Sequence, residues 1–366
     1  MKLILLQLGR LVLAVLGLYA ALLAVSFVLV PPVPAGQRLD TARASSSLFL
    51  TEPKYVFLSR NQLNSTADKV LLLGASNTMA GFKQEQVQAL VPDAEVHNIS
   101  VGGSNITQLG QIVQLVREVQ TPSARQHDCY VLGLWYGLFA DDKARWYTRD
   151  RTPGDTDIDI ERYRYGFYRR TAHGPAPLLP ASDLDAGVLL IHPYLVLDRS
   201  TRDLTQSLRD FLSHKSKPIT DEQRNLRVVS VEEQHKYLAF WRDYMGSVDT
   251  LTDAPFRELD RVVAGILADG GQVVLVDMPI PEWHSQGAPL YADYRKRIDD
   301  SFARWQGRAG VSVLRMGDQN ESEDFSDEVH PKPRVSPHWA ERLALTLNEN
   351  SAKRRAQAAN EFTRAP

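Results

Sequence analysis

Three short polar stretches carry the residue types that acyl transfer requires. Gly74-Ala75-Ser76-Asn77 offers a serine hydroxyl among small residues, and Phe325-Ser326-Asp327-Glu328-Val329-His330-Pro331 offers a carboxylate three residues from an imidazole. Between them, Asn98-Ile99-Ser100-Val101-Gly102-Gly103-Ser104-Asn105 offers backbone N–H groups that no side chain obstructs. In the chemistry these residues suit, Ser76 is the nucleophile and His330 takes its proton, later returning it to the leaving group. Asp327 holds the imidazole and stabilises its charged form. Ser76, Gly102, Gly103 and Asn77 are the candidate donors to the developing oxyanion. Each stretch also has a plainer use. Ser76 or Asn77 would cap a helix, the glycine pair would make a tight turn before a Ser104 cap, and Asp-x-x-His would be a solvated loop.

The elements that must position these stretches decide between the uses. Lys69 to Leu73, ended by Gly74, reads as a strand buried on both faces and Cys129 to Trp135 as another buried strand, while Ala94 to Ile99, Gln272 to Asp277 and Val311 to Arg315 read as the remaining strands. Helices are predicted between them at Lys83 to Val91, Ser104 to Gln120, Phe256 to Ala268, Tyr291 to Gln306 and Pro337 to Leu347. Five strands alternating with helices predict an α/β fold, a three-layer α/β/α sandwich around a five-stranded parallel sheet. Ligands of such sheets sit beyond the carboxyl ends of the strands, where all three polar stretches fall.

Leu11 to Val30 gives twenty residues without a charge, enough at about 1.5 Å per residue to cross a hydrocarbon core of roughly 30 Å. Lys2 and Arg10 precede it and no basic residue follows until Arg38, which predicts a cytoplasmic N-terminus and a periplasmic body in a bacterial inner membrane. A cleaved signal peptide is the alternative, with Val33 and Ala35 preceding Gly36, although the apolar core is longer than signal cores run. The predicted organisation is an anchor over 1–35, a spacer over 36–67, a catalytic domain over 68–350 and a polar tail over 351–366. A stretch at about 140–254 breaks the strand–helix rhythm and reads as an inserted cap over the rim.

Composition narrows the partners. With 42 basic against 44 acidic residues the chain has no electrostatic reason to bind nucleic acid, and 43% hydrophobic residues exclude disorder of the whole chain. The single cysteine, Cys129, forms no internal disulfide and reads as a buried small residue. No spacing suggests a metal site, and no cofactor is expected.

The order Ser76, Gly102-Gly103, Asp327-x-x-His330 resembles the SGNH (GDSL-type) hydrolase superfamily over Lys69 to Leu347, outside the insertion. The resemblance implies a flavodoxin-like sheet, a Ser76, Asp327 and His330 triad, and an oxyanion glycine at Gly102 or Gly103. Two departures stand out. Ala75 replaces the family's usual aspartate, and the third block, Gly133-Leu134-Trp135-Tyr136-Gly137, lacks its asparagine, leaving Asn77 or Tyr136 as substitute donors. With one anchor and an outward-facing body, the chain resembles membrane-tethered proteins of cell-envelope polymer acylation, such as alginate O-acetylation and teichoic-acid D-alanine transfer proteins. That implies a cell-surface polysaccharide substrate and a multispanning O-acyltransferase partner.

Substrate contacts are sought in aromatic and basic residues. Tyr163 to Arg170 mixes rings that stack on sugars with arginines that grip carboxylates or phosphates, and Tyr165 and Arg169 are the candidates there. The alternative is a segment that packs its aromatics inward and leaves its arginines in water. Trp283 and His284 follow the fourth strand toward the rim, as Tyr136 follows the third. The function expected is a serine O-acetyltransferase or acetylesterase acting on an extracytoplasmic polysaccharide. The alternatives are a non-catalytic assembly or glycan-binding subunit of the same fold, and a phosphate-binding flavodoxin-like domain, which the lack of a Gly-rich phosphate loop disfavours.

Overall fold

The computed structural model describes residues 2–34, 37–48, 50–140, 157–165, 167–172, 174–179, 181–213, 219–245 and 250–364. Two compact units emerge, one from Met1–Ser65 with Asp150–Lys217, the other from Thr66–Arg149 with Pro218–Pro366. In chain order the first helices are α1 (Lys2–Leu29), α2 (Thr41–Ser47), α3 (Glu52–Leu58) and α4 (Arg60–Leu63). Then come β1 (Lys69–Leu73), α5 (Ser76–Gly81), α6 (Gln84–Leu90), β2 (Glu95–Asn98), α7 (Ile106–Glu118), α8 (Pro122–Arg125) and β3 (Asp128–Leu134). The chain returns to the first unit with α9 (Asp157–Tyr165), β4 (Tyr168–Thr171), β5 (Gly174–Pro177) and α10 (Ala181–Ser213). It finishes in the second with α11 (Asp221–Leu226), α12 (Val231–Tyr244), α13 (Ala254–Ala268), β6 (Gln272–Asp277), α14 (Glu282–Gly287), α15 (Tyr291–Trp305), β7 (Val311–Arg315) and α16 (Ser336–Arg364).

The second unit is built on a five-stranded sheet in the order β2-β1-β3-β6-β7, every pairing parallel. Every residue of β1 and β3 is buried, which is why, after Lys69 and Asp128 at their starts, both read as continuous apolar runs rather than alternating ones. From β1 the chain moves outward to β2 and then crosses back to β3, so the strand order reverses between β1 and β3. A crevice opens at the carboxyl ends of such a reversal. The glycines bordering these strands have a steric cause. A Cβ on Gly74 or Gly133 would enter the van der Waals shell of Thr78 Oγ1, and on Gly74 it would also meet the Gly133 carbonyl oxygen at 2.8 Å. Only bare backbone lets α5 sit this close to both strands.

Helices cover the sheet in packed pairs. α13 lies against α7 and β6, while α16 lies against α5, α6 and β7. α7 begins with a reciprocal cap in which Asn105 Oδ1 accepts from the Gln108 N–H at 3.0 Å and Gln108 Oε1 accepts from the Asn105 N–H at 2.8 Å. The predicted Ser104 cap is therefore one residue early, and the Ser104 hydroxyl instead donates to the Gly74 carbonyl at 3.2 Å. At the amino ends of β1 and β3, Lys69 and Asp128 form a fully buried ion pair at 3.3 Å. Lys69 Nζ also donates to the Ala67 and Ala124 carbonyls, and Asp128 accepts from Gln120 and Tyr130.

The first unit contains α1, 28 residues with a mean hydropathy of 2.6 over its most apolar stretch and almost wholly exposed, a helix long and apolar enough to cross a membrane. The Val33 side of the alternative cleavage junction is described, whereas Ala35 and Gly36 lie outside the described residues. The stretch predicted as a spacer with one short helix holds three among the described residues. α2, α3 and α4 form there, with Tyr55, Val56, Phe57, Leu58 and Leu63 buried and α3 against α9. Nor does the 140–254 stretch fold as one piece, since Asp150–Lys217 groups with the first unit and the residues before and after it with the second. The final helix, predicted to stop at Leu347, runs on to Arg364 through the stretch predicted as a tail.

Candidate active site

Ser76 opens α5 directly after β1, where the first N–H groups of a helix have no acceptor within it. Its hydroxyl, half-buried and reachable, lies 2.7 Å from His330 Nε2. On the other side of the ring, His330 Nδ1 lies 2.8 Å from Asp327 Oδ2 and 2.9 Å from Oδ1. The carboxylate requires Nδ1 to carry the proton, which leaves Nε2 free to accept the Ser76 hydroxyl. The loop folds around this acid: Asp327 Oδ1 also accepts the backbone N–H groups of Val329 at 3.0 Å and His330 at 2.8 Å. The Ser326 N–H donates to the His330 carbonyl at 2.9 Å, closing the turn.

Electrostatics follow from this geometry. Burial works against the Asp327 carboxylate, but the His330 imidazole and the two loop N–H groups outweigh it and hold its pKa below the ordinary 3.8. Burial likewise opposes the His330 imidazolium, and the hydrogen bond and charge of Asp327, aided by Glu328, raise its pKa above 6.5. The His330 ring is thus more basic than a free histidine.

The other predicted contacts fall into distinct places. A Cβ built on Gly102 would lie 4.0 Å from Ser76 Cβ, so this glycine stands beside Ser76. Gly103 is exposed and adopts a φ of +69°, the left-handed conformation that glycine supplies. Asn77 is fully buried; its side-chain carbonyl accepts the Thr78 N–H at 2.9 Å and its amide has no partner. Only its backbone N–H, at the start of α5, is left to serve an oxyanion.

Tyr136 and His284, predicted to meet substrate, point inward. They are 1% and 0% exposed, and the Tyr136 hydroxyl donates to His284 Nε2 at 2.6 Å while His284 Nδ1 donates to the Glu328 carbonyl at 2.6 Å. Burial drives the His284 pKa down to about 4, so the ring is neutral and its single proton is committed to the loop that carries Asp327 and His330. Trp283, half-buried, stacks on His284 at 5.3 Å and lies 6.4 Å from Tyr237. Arg169 is exposed on β4 in the other unit, and the Tyr165 side chain and Gly166 lie outside the described residues. Nearby, Tyr168 is buried, and Arg162 and Arg170 stand over the Tyr168 and Tyr163 rings at 5.3 and 4.2 Å, so these arginines and aromatics engage one another.

Residues of the insertion that sequence reasoning did not single out complete the surroundings. Trp241 on α12 packs edge-on against Trp135 at 4.9 Å and Tyr136 at 5.9 Å. Arg227 donates to the Tyr237 hydroxyl at 3.2 Å and to Glu233 at 3.4 Å, and its cation is further favoured by the charge of Asp327. The capping box Ser230-Val231-Glu232-Glu233 was the available signal that a helix begins here, but nothing local announced which of its side chains would reach the rim. Among the described residues no group of three or more His, Cys, Asp or Glu side chains could hold a metal ion. No protein-family model and no curated protein matches this sequence.

Proposed function

We propose that the chain is a serine acyl-transfer enzyme of the SGNH type, with a flavodoxin-like three-layer domain, anchored in a bacterial inner membrane by α1 and acting outside the cytoplasm. The observation that carries the reading is the unbroken hydrogen-bonded series from the Ser76 hydroxyl through His330 to Asp327. Ser76 Oγ attacks the acyl carbonyl carbon as its proton passes to His330 Nε2. When the tetrahedral intermediate collapses, the carbon–oxygen bond to the leaving alcohol breaks and that alcohol takes the proton from His330. A second alcohol or water, deprotonated by His330, then cleaves the acyl-Ser76 ester and regenerates the hydroxyl. The N–H groups of Ser76, Asn77 and Gly102 are the candidates to hold the oxyanion.

An acetyl group on a surface polysaccharide is the substrate class this reading favours, with the α11–α12 region as the part of the cap beside the rim and a multispanning O-acyltransferase as the donor. A fluorophosphonate probe tests the mechanism. Wild-type protein is expected to label at Ser76, and Ser76→Ala and His330→Ala to lose the label; undiminished labelling of Ser76→Ala refutes the nucleophile. Parallel assays of acetyl release and acetyl transfer separate esterase from transferase.

One observation favours a second reading, a non-catalytic assembly or glycan-binding subunit. Where the family resemblance places an asparagine donor, this chain has Tyr136, whose hydroxyl is already spent on His284. On that reading Ser76→Ala leaves polymer acylation in cells intact.

A further inference from the structure

α10 has two apolar faces. Leu184, Val188, His192 and Leu195 are buried along one side. On the opposite side Leu190, Tyr194, Leu197, Leu204 and Leu208 are exposed by 56%, 51%, 50%, 64% and 56%. Steps of four, three, seven and four keep these five residues on one stripe of a 3.6-residue helix. Single exposed leucines are ordinary on a protein surface, but a contiguous apolar line marks contact with something other than water.

What lies at that level is fixed by α1. The Tyr19 hydroxyl donates to the Leu190 carbonyl, His192 Nδ1 and Ser26 Oγ are 3.1 Å apart, and the Phe27 ring meets the His192 ring edge-on at 5.2 Å. Above these contacts the Arg43 guanidinium donates to the carbonyls of Leu29, at 3.0 Å, and Val28. A cation on the last carbonyls of an apolar helix belongs at the headgroup level, where long basic side chains place their charge. At about 1.5 Å per residue, Ser26 lies about 5 Å and Tyr19 about 15 Å below Leu29 along the axis. α10 therefore meets α1 at a depth bracketing the roughly 5–10 Å to which the apolar face of an interfacial helix sinks. Arg199 and Asp203 pair with each other at 2.6 Å, away from the stripe.

We propose that α10 is a second membrane element, lying in the outer leaflet with the Leu190 to Leu208 stripe among acyl chains. The inference rests on α1 spanning the bilayer, and it is independent of the chemistry at Ser76. Continuity with the lipid-exposed surface of α1 is what selects lipid over a protein as the occupant.

The test uses the full chain in vesicles of phosphatidylethanolamine and phosphatidylglycerol. With Cys129→Ala as background, single cysteines at Leu197→Cys, Leu204→Cys, Leu13→Cys and Gln286→Cys carry an environment-sensitive fluorophore. The labels at 197 and 204 are expected to emit blue-shifted light, to be quenched several-fold more by lipids with a nitroxide high on the acyl chain than by one at the bilayer centre, and to resist aqueous iodide. The label at 13 should be quenched by acyl-chain nitroxides, and that at 286 by iodide. Iodide access at 197 and 204, with 13 still in lipid, overturns the proposal. So does shielding of 197 and 204 from both quenchers, which would mean that a second copy or another protein covers the stripe. If the label at 13 is itself in water, the anchor fails and the placement of α10 fails with it.

Discussion

Two carboxylate–cation pairs stand at opposite ends of the same parallel strands, and they differ in what surrounds them. At the amino end Lys69 and Asp128 are sealed, with side chains 0% exposed, while at the carboxyl end His330 and Asp327 keep 33% and 21% of their side-chain surface open. In the sealed pair burial dominates both partners, lowering the Lys69 pKa and raising that of Asp128 to about 6. In the open pair the partners' attraction and the loop N–H groups overcome burial, and both charged forms are favoured. The pair at the closed end ties β1 to β3 out of reach of solvent; the one at the open end has a hydroxyl 2.7 Å away, the geometry that the proposed proton transfer needs.

The two ends of the sheet are expected to differ most at Ser76. Ser76→Ala is expected to lower acyl release by a factor of at least about 1,000 while changing unfolding free energy by less than about 1 kcal/mol, read by a chromogenic ester and by urea titration. At the closed end the effects should be exchanged. Lys69→Met strands a buried carboxylate and is expected to cost about 3–5 kcal/mol of stability, and adding Asp128→Asn should recover part of it. Folded Lys69→Met protein should still react with a fluorophosphonate at the wild-type rate.

Next in size is the Tyr136 to His284 connection to the triad loop. Tyr136→Phe leaves a buried imidazole nitrogen without its donor, and kcat is expected to fall by about 10-fold to 100-fold with KM unchanged, as for a positioning residue. A KM increase at constant kcat would instead mark Tyr136 as a substrate contact.

The two ends should also separate along the pH axis. His330 must be neutral to accept the Ser76 proton and its pKa is raised, so the acid limb of the rate profile is expected above pH 6.5, and Asp327→Asn should move it downward. Asp128 binds its proton more tightly folded than unfolded, so its contribution makes stability fall as pH rises from 3.8 to about 6, and Asp128→Asn should remove that slope. The smallest effect is reserved for Gly102→Ala, whose added methyl makes ordinary contact with Ser76. A rate loss of a few-fold, without loss of stability, is the expected outcome.

Legibility in the sequence followed the range of the forces involved. β1 and β6 carry the boundaries that their apolar runs predicted, because burial on both faces writes itself into consecutive residues, and the half-buried edge strand β7 keeps its predicted boundaries as well. Ser76, Gly102, Asp327 and His330 were findable as strand-end residues, and the structure brings them together. For Tyr136 and His284 the sequence placed the backbone near the rim but carried no sign of which way the side chains turn, since that depends on a pairing 148 residues apart. The division of the 140–254 stretch was equally hidden: which core a helix joins is decided by distant partners rather than by its own periodicity.

The interleaving of the two units sets an order of events during synthesis. Residues 1–65 cannot complete their unit until Lys217 has left the ribosome, by which time β1, β2 and β3 have emerged but β6 and β7 have not. For an interval the nascent chain holds three of the sheet's five strands, with β3 still lacking β6 on its other side. No single cut at either terminus isolates one unit, since a fragment beginning at residue 66 would hold the whole second unit together with Asp150–Lys217, an orphaned portion of the first.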